Sequence, residues 1–294
     1  MRTRPTSWWL ATLRKRRGRI DEEKLDLSRP ISFASSEERS AAVAFFNAAY
    51  RAEESGLRQA HELSNEVARW DPELAECLTL YGDEEGWHRQ LLTEFVAWLG
   101  GEIKPMGPTT RTFYGLYKRA ERMESIVLVN LMFETIGSTT YRLALRRASH
   151  PTVRQMLSIL TRDEAFHVPL NVHFLRCALA RAPQGRKRLR ALYHATFLAL
   201  AASTIASRRR AERFDGIPQK VLARAYSEEL ARLFLEESDL NLAPSWLLLR
   251  VFGLDRGALL RVPSPVSLAA AERAVSLDAA APSVDADRVH GAGA

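Results

Sequence analysis

Two short segments of the chain each place a glutamate three residues before a histidine. They are Glu85 and His88 in "YGDEEGWHRQLL", and Glu164 and His167 in "LTRDEAFHVPL". On an α-helix, residues i and i+3 share one face, with their Cβ atoms about 5–6 Å apart. Each pair could therefore bind one metal ion from a single helix.

Two further carboxylates are predicted to face these pairs across helical hairpins. Turn signals near residues 70 and 150 predict two antiparallel hairpins, in which residues equidistant from the turn lie at the same height. Glu54 precedes Glu85 by 31 residues, and Glu134 precedes Glu164 by 30, so each carboxylate is expected to lie level with its partner. Glu53, which is adjacent to Glu54, is the alternative at the first position.

The predicted cluster holds four carboxylates and two imidazoles from four helices. If it were buried without a counter-charge, lost hydration and mutual repulsion would strongly destabilise it. Two divalent cations carry four positive charges and match four carboxylates. The expected metal ligands are Glu54, Glu85, His88, Glu134, Glu164 and His167. The alternative is that they are surface residues on charged helix faces, which fits Glu134 poorly because its flanking segments "LVNLMF" and "TIG" are apolar.

Helical periodicity dominates the chain, and strand signals are nearly absent, which predicts an all-α fold. Ser35 and Glu38 match a capping box at one helix start, and Asp71 followed by Pro72 predicts the next. The expected organisation is a basic, flexible N-terminal arm, a four-helix bundle, additional helices packed on the bundle, and a mostly disordered tail. Their expected ranges are 1–34, 35–182, 183–256 and 257–294.

The positive charge is concentrated at the N-terminus. Residues 1–20 contain seven Arg or Lys and no acid, whereas the other 35 basic residues balance 35 acidic ones. Because the chain after residue 20 has no formal net charge, a nucleic-acid-binding face is not expected there. The arm could contact an acidic partner or anionic lipid, or could simply be solvated. The ratio of 36 Arg to 6 Lys is typical of a GC-rich bacterial genome.

Several features favour a cytoplasmic protein without a transmembrane segment. Cys77 and Cys177 lack the spacing of a disulfide framework, so free thiols in a reducing compartment are expected. The uncharged segment 191–207 is short for a bilayer span, which favours a buried core helix over a membrane contact. The N-terminal "SWWLATL" is too short for the apolar region of a secretory signal.

The two Glu-x-x-His pairs, with one glutamate from each of two other helices, resemble the ferritin-like di-iron carboxylate superfamily. The resemblance covers about residues 35–182 and implies a four-helix bundle that holds two iron ions, or manganese. In several members the second motif reads Asp-Glu-x-Arg-His. By that match, Asp163 and, less directly, Glu84 would accept the ring N–H of a ligating histidine. The family's arginine is replaced here by Phe166 and Trp87.

The resemblance also implies candidates beside the ligands. Ser138, one turn after the Glu134 ligand, resembles a hydroxyl residue of the hydroxylases, with an implied role in proton delivery; the alternative is a helix-packing hydroxyl. His61 and Tyr81 are further candidates for contact with the ligands. Two subfamilies fit less well. Leu160 stands where aromatic amine N-oxygenases have an extra histidine, and Leu92 stands where the ribonucleotide reductase subunit has its radical tyrosine.

The expected function is O2-dependent oxidation by a di-iron centre: hydroxylation, desaturation or N-oxygenation of a small, free or carrier-bound organic substrate. Electrons are expected from a separate ferredoxin or flavin reductase, because the chain has no flavin or nucleotide motif. One alternative is a ferroxidase or a peroxide-detoxifying protein with iron or manganese. Another is a non-catalytic protein that metal stabilises for interaction with a partner. The helices after residue 187 distinguish the chain from minimal ferritins, and homodimer formation is left open.

Overall fold

The computed structural model describes residues 3–105, 122–269 and 271–272, and within them the regular structure is helical, with no β-strand. The all-α prediction is therefore confirmed for this part of the chain. The α-helices described are α1 (Thr6–Glu22), α2 (Ser36–Val67), α3 (Pro72–Trp98), α4 (Met123–Leu145), α5 (Pro151–Arg181), α6 (Arg186–Asp215), α7 (Gln219–Glu236), α8 (Trp246–Val251) and α9 (Arg256–Arg261). Short 3-10 turns cover Pro183–Gly185 and Ser238–Leu240. The helix expected from about residue 113 is described from Met123, and the earlier part of that prediction lies outside the described residues.

Local sequence signals account for the start of each helix in the first hairpin. The Ser35 hydroxyl accepts a hydrogen bond from the backbone N–H of Glu38 at the start of α2. The Asp71 carboxylate caps α3, and Pro72 occupies the first turn, where a missing N–H costs nothing. A short connection therefore joins α2 and α3 into an antiparallel pair, and α4 and α5 form a second pair across the turn at His150.

The apolar interior formed by the two hairpins is divided into two parts. One part packs around Phe46, Phe95 and Leu160. The other packs around Leu78 and Leu131. The predicted charged cluster lies between these two parts, so its side chains are deep inside the protein.

The N-terminal segment is a packed helix, so the expectation of a flexible arm over 1–34 is wrong. Trp9 and Leu13 on α1 are only 2% and 1% exposed. The indole of Trp9 lies 5.5 Å from the Phe166 ring, between centroids, and α1 packs along α3. Apolar residues of "SWWLATL" recur four positions apart, which places them on one face of a helix that covers the core.

The C-terminal helices cover the two hairpins. Tyr193 and Phe197, in the segment 191–207, are buried, and Tyr193 packs on Phe234 with the ring centroids 4.6 Å apart. Leu259 of α9 and Val266 are also buried, so the tail expected from residue 257 is partly packed. The rest of that predicted tail, 273–294, lies outside the described residues. Among the helices described here, none is long and apolar enough to cross a membrane.

Candidate metal centre

Six buried side chains from α2, α3, α4 and α5 meet between the two halves of the core. Their ligand atoms form three overlapping groups, and within each group the atoms lie within 4.8 Å of one another. The groups are Glu53–His88–Glu164, Glu85–His88–His167 and Glu134–Glu164–His167. The structure therefore brings both Glu-x-x-His pairs and Glu134 together in one buried cluster.

Glu53, rather than Glu54, provides the carboxylate of α2, so the expectation for Glu54 is wrong. Glu53 is 2% exposed, and its Oε2 lies 3.3 Å from Nδ1 of His88. Its Oε1 accepts a hydrogen bond of 3.3 Å from the Tyr141 hydroxyl. The Glu54 side chain is 32% exposed and pairs with Arg51 at 2.6 Å. Height along a hairpin cannot separate adjacent residues, which differ by about 100° in direction around the helix axis.

Each histidine of the cluster is oriented by a carboxylate from the opposite Glu-x-x-His helix. Nε2 of His88 lies 3.2 Å from Oδ2 of Asp163. Nε2 of His167 lies 2.9 Å from Oε2 of Glu84. These carboxylates hold a proton on each Nε2, so Nδ1 faces the cluster and is the nitrogen that can bind a metal once it is unprotonated. The structure thus brings Asp163 and Glu84 to the positions that the resemblance implied.

Three ligand atoms in the cluster are buried and have no hydrogen-bond partner among the described residues. They are Oε1 of Glu85, Oε2 of Glu164 and Nδ1 of His167. Nδ1 of His167 and Oε1 of Glu85 lie 3.1 Å apart, but their relative orientation is not that of a hydrogen bond. Buried polar atoms in folded proteins are almost always satisfied. Oxygen and imidazole nitrogen atoms that converge in this way could hold a divalent metal ion.

Arg16 of α1 lies directly behind the two orienting carboxylates, a contact that sequence spacing did not predict. Its guanidinium donates hydrogen bonds to Glu84 at 2.8 Å and to Asp163 at 2.9 Å. The carbon of the guanidinium lies 4.2 Å from the centroid of the Phe166 ring. The signal was nonetheless present, because Trp9, Leu13 and Arg16 recur at helical spacing on one face of α1.

The layer around Arg16 is electrically balanced. Arg19 and Arg162 also donate to Asp163, at 2.8 and 2.9 Å, and Arg162 binds Glu23 at 2.7 Å. Three guanidinium groups therefore face three carboxylates, those of Glu23, Glu84 and Asp163. This outer layer contributes no net charge that could neutralise the four inner carboxylates.

The two layers shift carboxyl pKa values in opposite directions. Burial, together with the charges of neighbouring glutamates, raises the pKa of Glu85 and that of Glu164 well above the ordinary value. Burial acts in the same direction on Glu84 and Asp163, but the Arg16 charge and the hydrogen bonds from the neighbouring imidazoles outweigh it. The pKa of Glu84 falls to about 2, and that of Asp163 falls well below its usual range.

The imidazoles respond to the same excess of negative charge. Burial disfavours the charged imidazolium, but hydrogen bonds to Asp163 and Glu53 raise the pKa of His88 to about 9. Burial also opposes the charged form of His167, but the adjacent Glu164 and Glu84 carboxylates outweigh it and raise the pKa of His167 well above its usual value. Without another cation, the inner cluster therefore attracts protons.

The remaining candidates have different outcomes. The Tyr81 hydroxyl donates a 2.6 Å hydrogen bond to Oε1 of Glu134, so Tyr81 contacts the cluster as expected. The His61 side chain is 44% exposed and lies 3.4 Å from Asp83, so the expectation that it supports the ligands is wrong. Ser138 is buried on α4.

A cavity of about 30 Å³ adjoins the cluster between α2 and α4. Of the described residues, the glutamates of the cluster line it together with Asn130 and with Ala52, Ser55, Gly56, Phe133, Gly137 and Tyr141. Ser138 is not among these lining residues, so the structure does not support the expected proton-delivery role of its hydroxyl. The Ser55 hydroxyl, which lines the cavity, is buried and has no hydrogen-bond partner in the part of the chain that the structure describes.

Comparisons of the chain with protein-family models, with curated proteins and with solved structures find no match. The geometry of the cluster and its neighbours is thus the basis for any functional assignment.

Proposed function

We propose that this chain is an O2-dependent oxidoreductase that binds two iron ions in a ferritin-like four-helix bundle formed by α2, α3, α4 and α5. The observation that carries the proposal is the charge of the inner cluster. Four buried carboxylates face one another, while the three arginines behind them are already matched by three other carboxylates. Two divalent cations would balance the four charges and give partners to the three unsatisfied ligand atoms.

The overlap of the three ligand groups suggests which residues would bind each ion. Glu164 shares one group with His88 and another with His167, and Glu85 shares a group with both histidines. These two glutamates would therefore be among the residues that hold the metal ions. Glu53 would help to hold an ion together with His88, and Glu134 would do so together with His167.

When bound, a pair of ferrous ions would supply electrons for the reduction of O2. The chain's own residues would hold this centre rigid and limit the access of water. Asp163 and Glu84 retain the Nε2 protons of the histidines, and Tyr81 donates to Glu134. The cavity between α2 and α4 gives a small reactant access to the glutamate side of the centre.

In the proposed reaction, a small organic substrate is hydroxylated, desaturated or N-oxygenated, and a separate ferredoxin or flavin reductase supplies electrons. Gly56 and Gly137 line the cavity beside Glu85 and Glu164 and add no side chain to it. We infer a cytoplasmic location from the free thiols of Cys77 and Cys177.

The size of the cavity favours a second candidate, oxidation of ferrous iron or removal of peroxide. A single water requires about 10–15 Å³ of such space, so a cavity of about 30 Å³ admits O2 or hydrogen peroxide. A larger organic substrate would require side chains around the cavity to move.

Anaerobic metal loading followed by O2 uptake tests the proposal. The metal-free protein is expected to bind two Fe(II) per chain and to release protons as it does so, because the pKa of His88 is about 9 and a ligating imidazole must be unprotonated at Nδ1. Glu134→Gln is expected to lower metal content, whereas the matched Glu62→Gln, at a 68% exposed side chain, is expected to leave it unchanged. A wild-type chain that binds less than one Fe(II) would contradict the proposal.

Turnover separates the two candidates. Repeated O2 uptake that requires an external reductant, and that yields an oxidised organic product, supports substrate oxidation. One round of O2 uptake that stops when the bound iron is oxidised, and resumes with added Fe(II), supports iron oxidation instead. Peroxide removal without a reductant supports the peroxide reaction.

A further inference from the structure

The buried face of α1 ends at the candidate centre. Trp9 and Leu13 attach this face to the core, and Arg16 follows one turn later with only 5% exposure. Burial of an arginine is costly unless its donors are satisfied. Here Glu84 accepts from Nε and Nη2 of Arg16, and Asp163 accepts from Nη2.

The same two carboxylates orient the two histidines of the cluster. Glu84 accepts from Nε2 of His167, and Asp163 lies 3.2 Å from Nε2 of His88. One guanidinium from α1 is therefore linked through one carboxylate to each imidazole. The planar fork of Arg16 can serve both carboxylates at once, and a lysine ammonium lacks this geometry.

We propose that α1 is an integral part of the metal centre and that Arg16 is a positioning residue for both histidines. This inference rests on the proposed function. By fixing Glu84 and Asp163, Arg16 holds each imidazole with its Nε2 proton directed outward and its Nδ1 directed at the metal position. Metal affinity then depends on a helix that supplies no ligand.

A role in attaching α1 alone does not account for this arrangement. Trp9 and Leu13 already bury the apolar face of the helix. Arg14, on the same helix, forms a two-point pair with Glu76 at 2.8 Å, in which both side chains are exposed, and so attaches α1 to α3 from the outside. Only Arg16 of these two reaches the carboxylates that contact the histidines.

The matched variants Arg16→Met and Arg14→Met separate positioning from attachment. Each removes a guanidinium of α1 that binds carboxylate at two points, and Met retains much of the side-chain length. Co(II) is the probe, because its visible absorption reports on nitrogen coordination, and its affinity is measured by titration of the metal-free full chain. Arg16→Met is expected to lose roughly 10- to 100-fold in Co(II) affinity and to change the absorption spectrum. Arg14→Met is expected to retain both within about twofold.

The outcomes also separate this inference from the proposed function. If the wild-type chain binds no Co(II), Fe(II) or Mn(II), both are wrong. If it binds Co(II), and Arg16→Met binds with the same affinity and spectrum, the inference alone is wrong. Arg16→Lys keeps the charge and decides the question if Arg16→Met does not fold. We expect it to show weaker Co(II) binding with an altered spectrum, and wild-type behaviour would refute the inference.

Discussion

Replacement of Glu53 and of Glu54 by glutamine distinguishes an inner carboxylate from its neighbour in the sequence. Each change removes one negative charge and keeps the shape of the side chain. Glu53 is 2% exposed, and its carboxylate contacts His88 and Tyr141. The Glu54 side chain is 32% exposed and pairs with Arg51. We expect Glu53→Gln to weaken metal binding and Glu54→Gln to leave it nearly unchanged.

The size of the difference follows from the dimensions of the cluster. Ligand atoms lie within 4.8 Å of one another, so a cation held among them would lie no farther than that from the Glu53 carboxylate. Two opposite unit charges about 4.8 Å apart attract by about 3.5 kcal/mol at an effective dielectric constant of about 20. Burying an amide is less costly than burying a carboxylate, which returns roughly 1–2 kcal/mol of the loss. A net loss of about 2 kcal/mol corresponds to about a 30-fold weaker affinity. A partly exposed pair at the surface, such as Glu54 and Arg51, contributes about 1 kcal/mol or less.

Anaerobic titration of the metal-free variants with Mn(II), followed by elemental analysis after desalting, measures both affinity and stoichiometry. Circular dichroism of the metal-free proteins controls for folding. Equal losses in the two variants, or a larger loss for Glu54→Gln, would show that the assignment of the α2 ligand is incorrect.

Three further predictions follow from burial and contact distances. Leu13→Ala removes a 1% exposed side chain that anchors α1, and should lower the free energy of unfolding in urea by about 2–5 kcal/mol. Gly56→Ala places a Cβ 3.2 Å from Cδ of Glu85, and should weaken Co(II) binding in a titration. Gly86→Ala is the control, because its Cβ would lie 3.5 Å from a methyl group of Leu57, which is an ordinary van der Waals contact. His173→Gln should remove a loss of stability that the wild-type protein undergoes between about pH 6.5 and pH 4, measured by urea denaturation at each pH.

The sign of the pH effect follows from the lowered pKa of His173. Burial and the nearby Arg176 charge lower this pKa from 6.5 to about 4. Between these values the unfolded chain binds a proton that the folded protein does not, so stability falls as the pH falls. The contribution is complete above pH 6.5 and is lost by about 1.4 kcal/mol per pH unit below it, so that about 3 kcal/mol of stability has been lost at pH 4. Parallel pH profiles for wild type and His173→Gln would argue against this cause.

The other two predictions have equally direct tests. A loss below about 1 kcal/mol in Leu13→Ala would mean that α1 contributes little to the core. Equal Co(II) affinity for Gly56→Ala and wild type would mean that Glu85 can move away from the new methyl group without loss of coordination.

Local spacing predicted those parts of the site that lie within one helix or one hairpin. Glu85 and His88 share a helix face because they are three residues apart. The position of the turn near residue 150 predicted that Glu134 lies level with Glu164. The choice between Glu53 and Glu54 depends on rotation of α2 about its axis, which the hairpin argument does not include. The hydrophobic periodicity of the first 20 residues, with Trp9 and Leu13 four residues apart, favours a packed α1.

Contacts between elements distant in sequence could not be predicted in this way. Arg16 lies 68 residues from Glu84 and 147 from Asp163, and no spacing rule links them. Its position in a run of basic residues favoured an interpretation as part of a solvated arm. For His61 the error is the opposite one. Its position on α2, two turns from Glu54, predicted a contact with the ligands, but its side chain points toward solvent and Asp83.

The position of the charged cluster between the two apolar parts of the core explains why its side chains stay buried. Apolar side chains pack on both sides of it, so the carboxylates cannot reach water without opening one half of the core. Protonation of Glu85 and Glu164 would relieve part of the repulsion, and the raised pKa values of both groups indicate that the fold favours it. A divalent cation would relieve the repulsion more completely, because it also gives partners to the unsatisfied oxygen and nitrogen atoms. Metal binding and folding stability should therefore be coupled in this chain: at a free metal concentration 100-fold above the dissociation constant, one site adds about 2.7 kcal/mol to the free energy of unfolding.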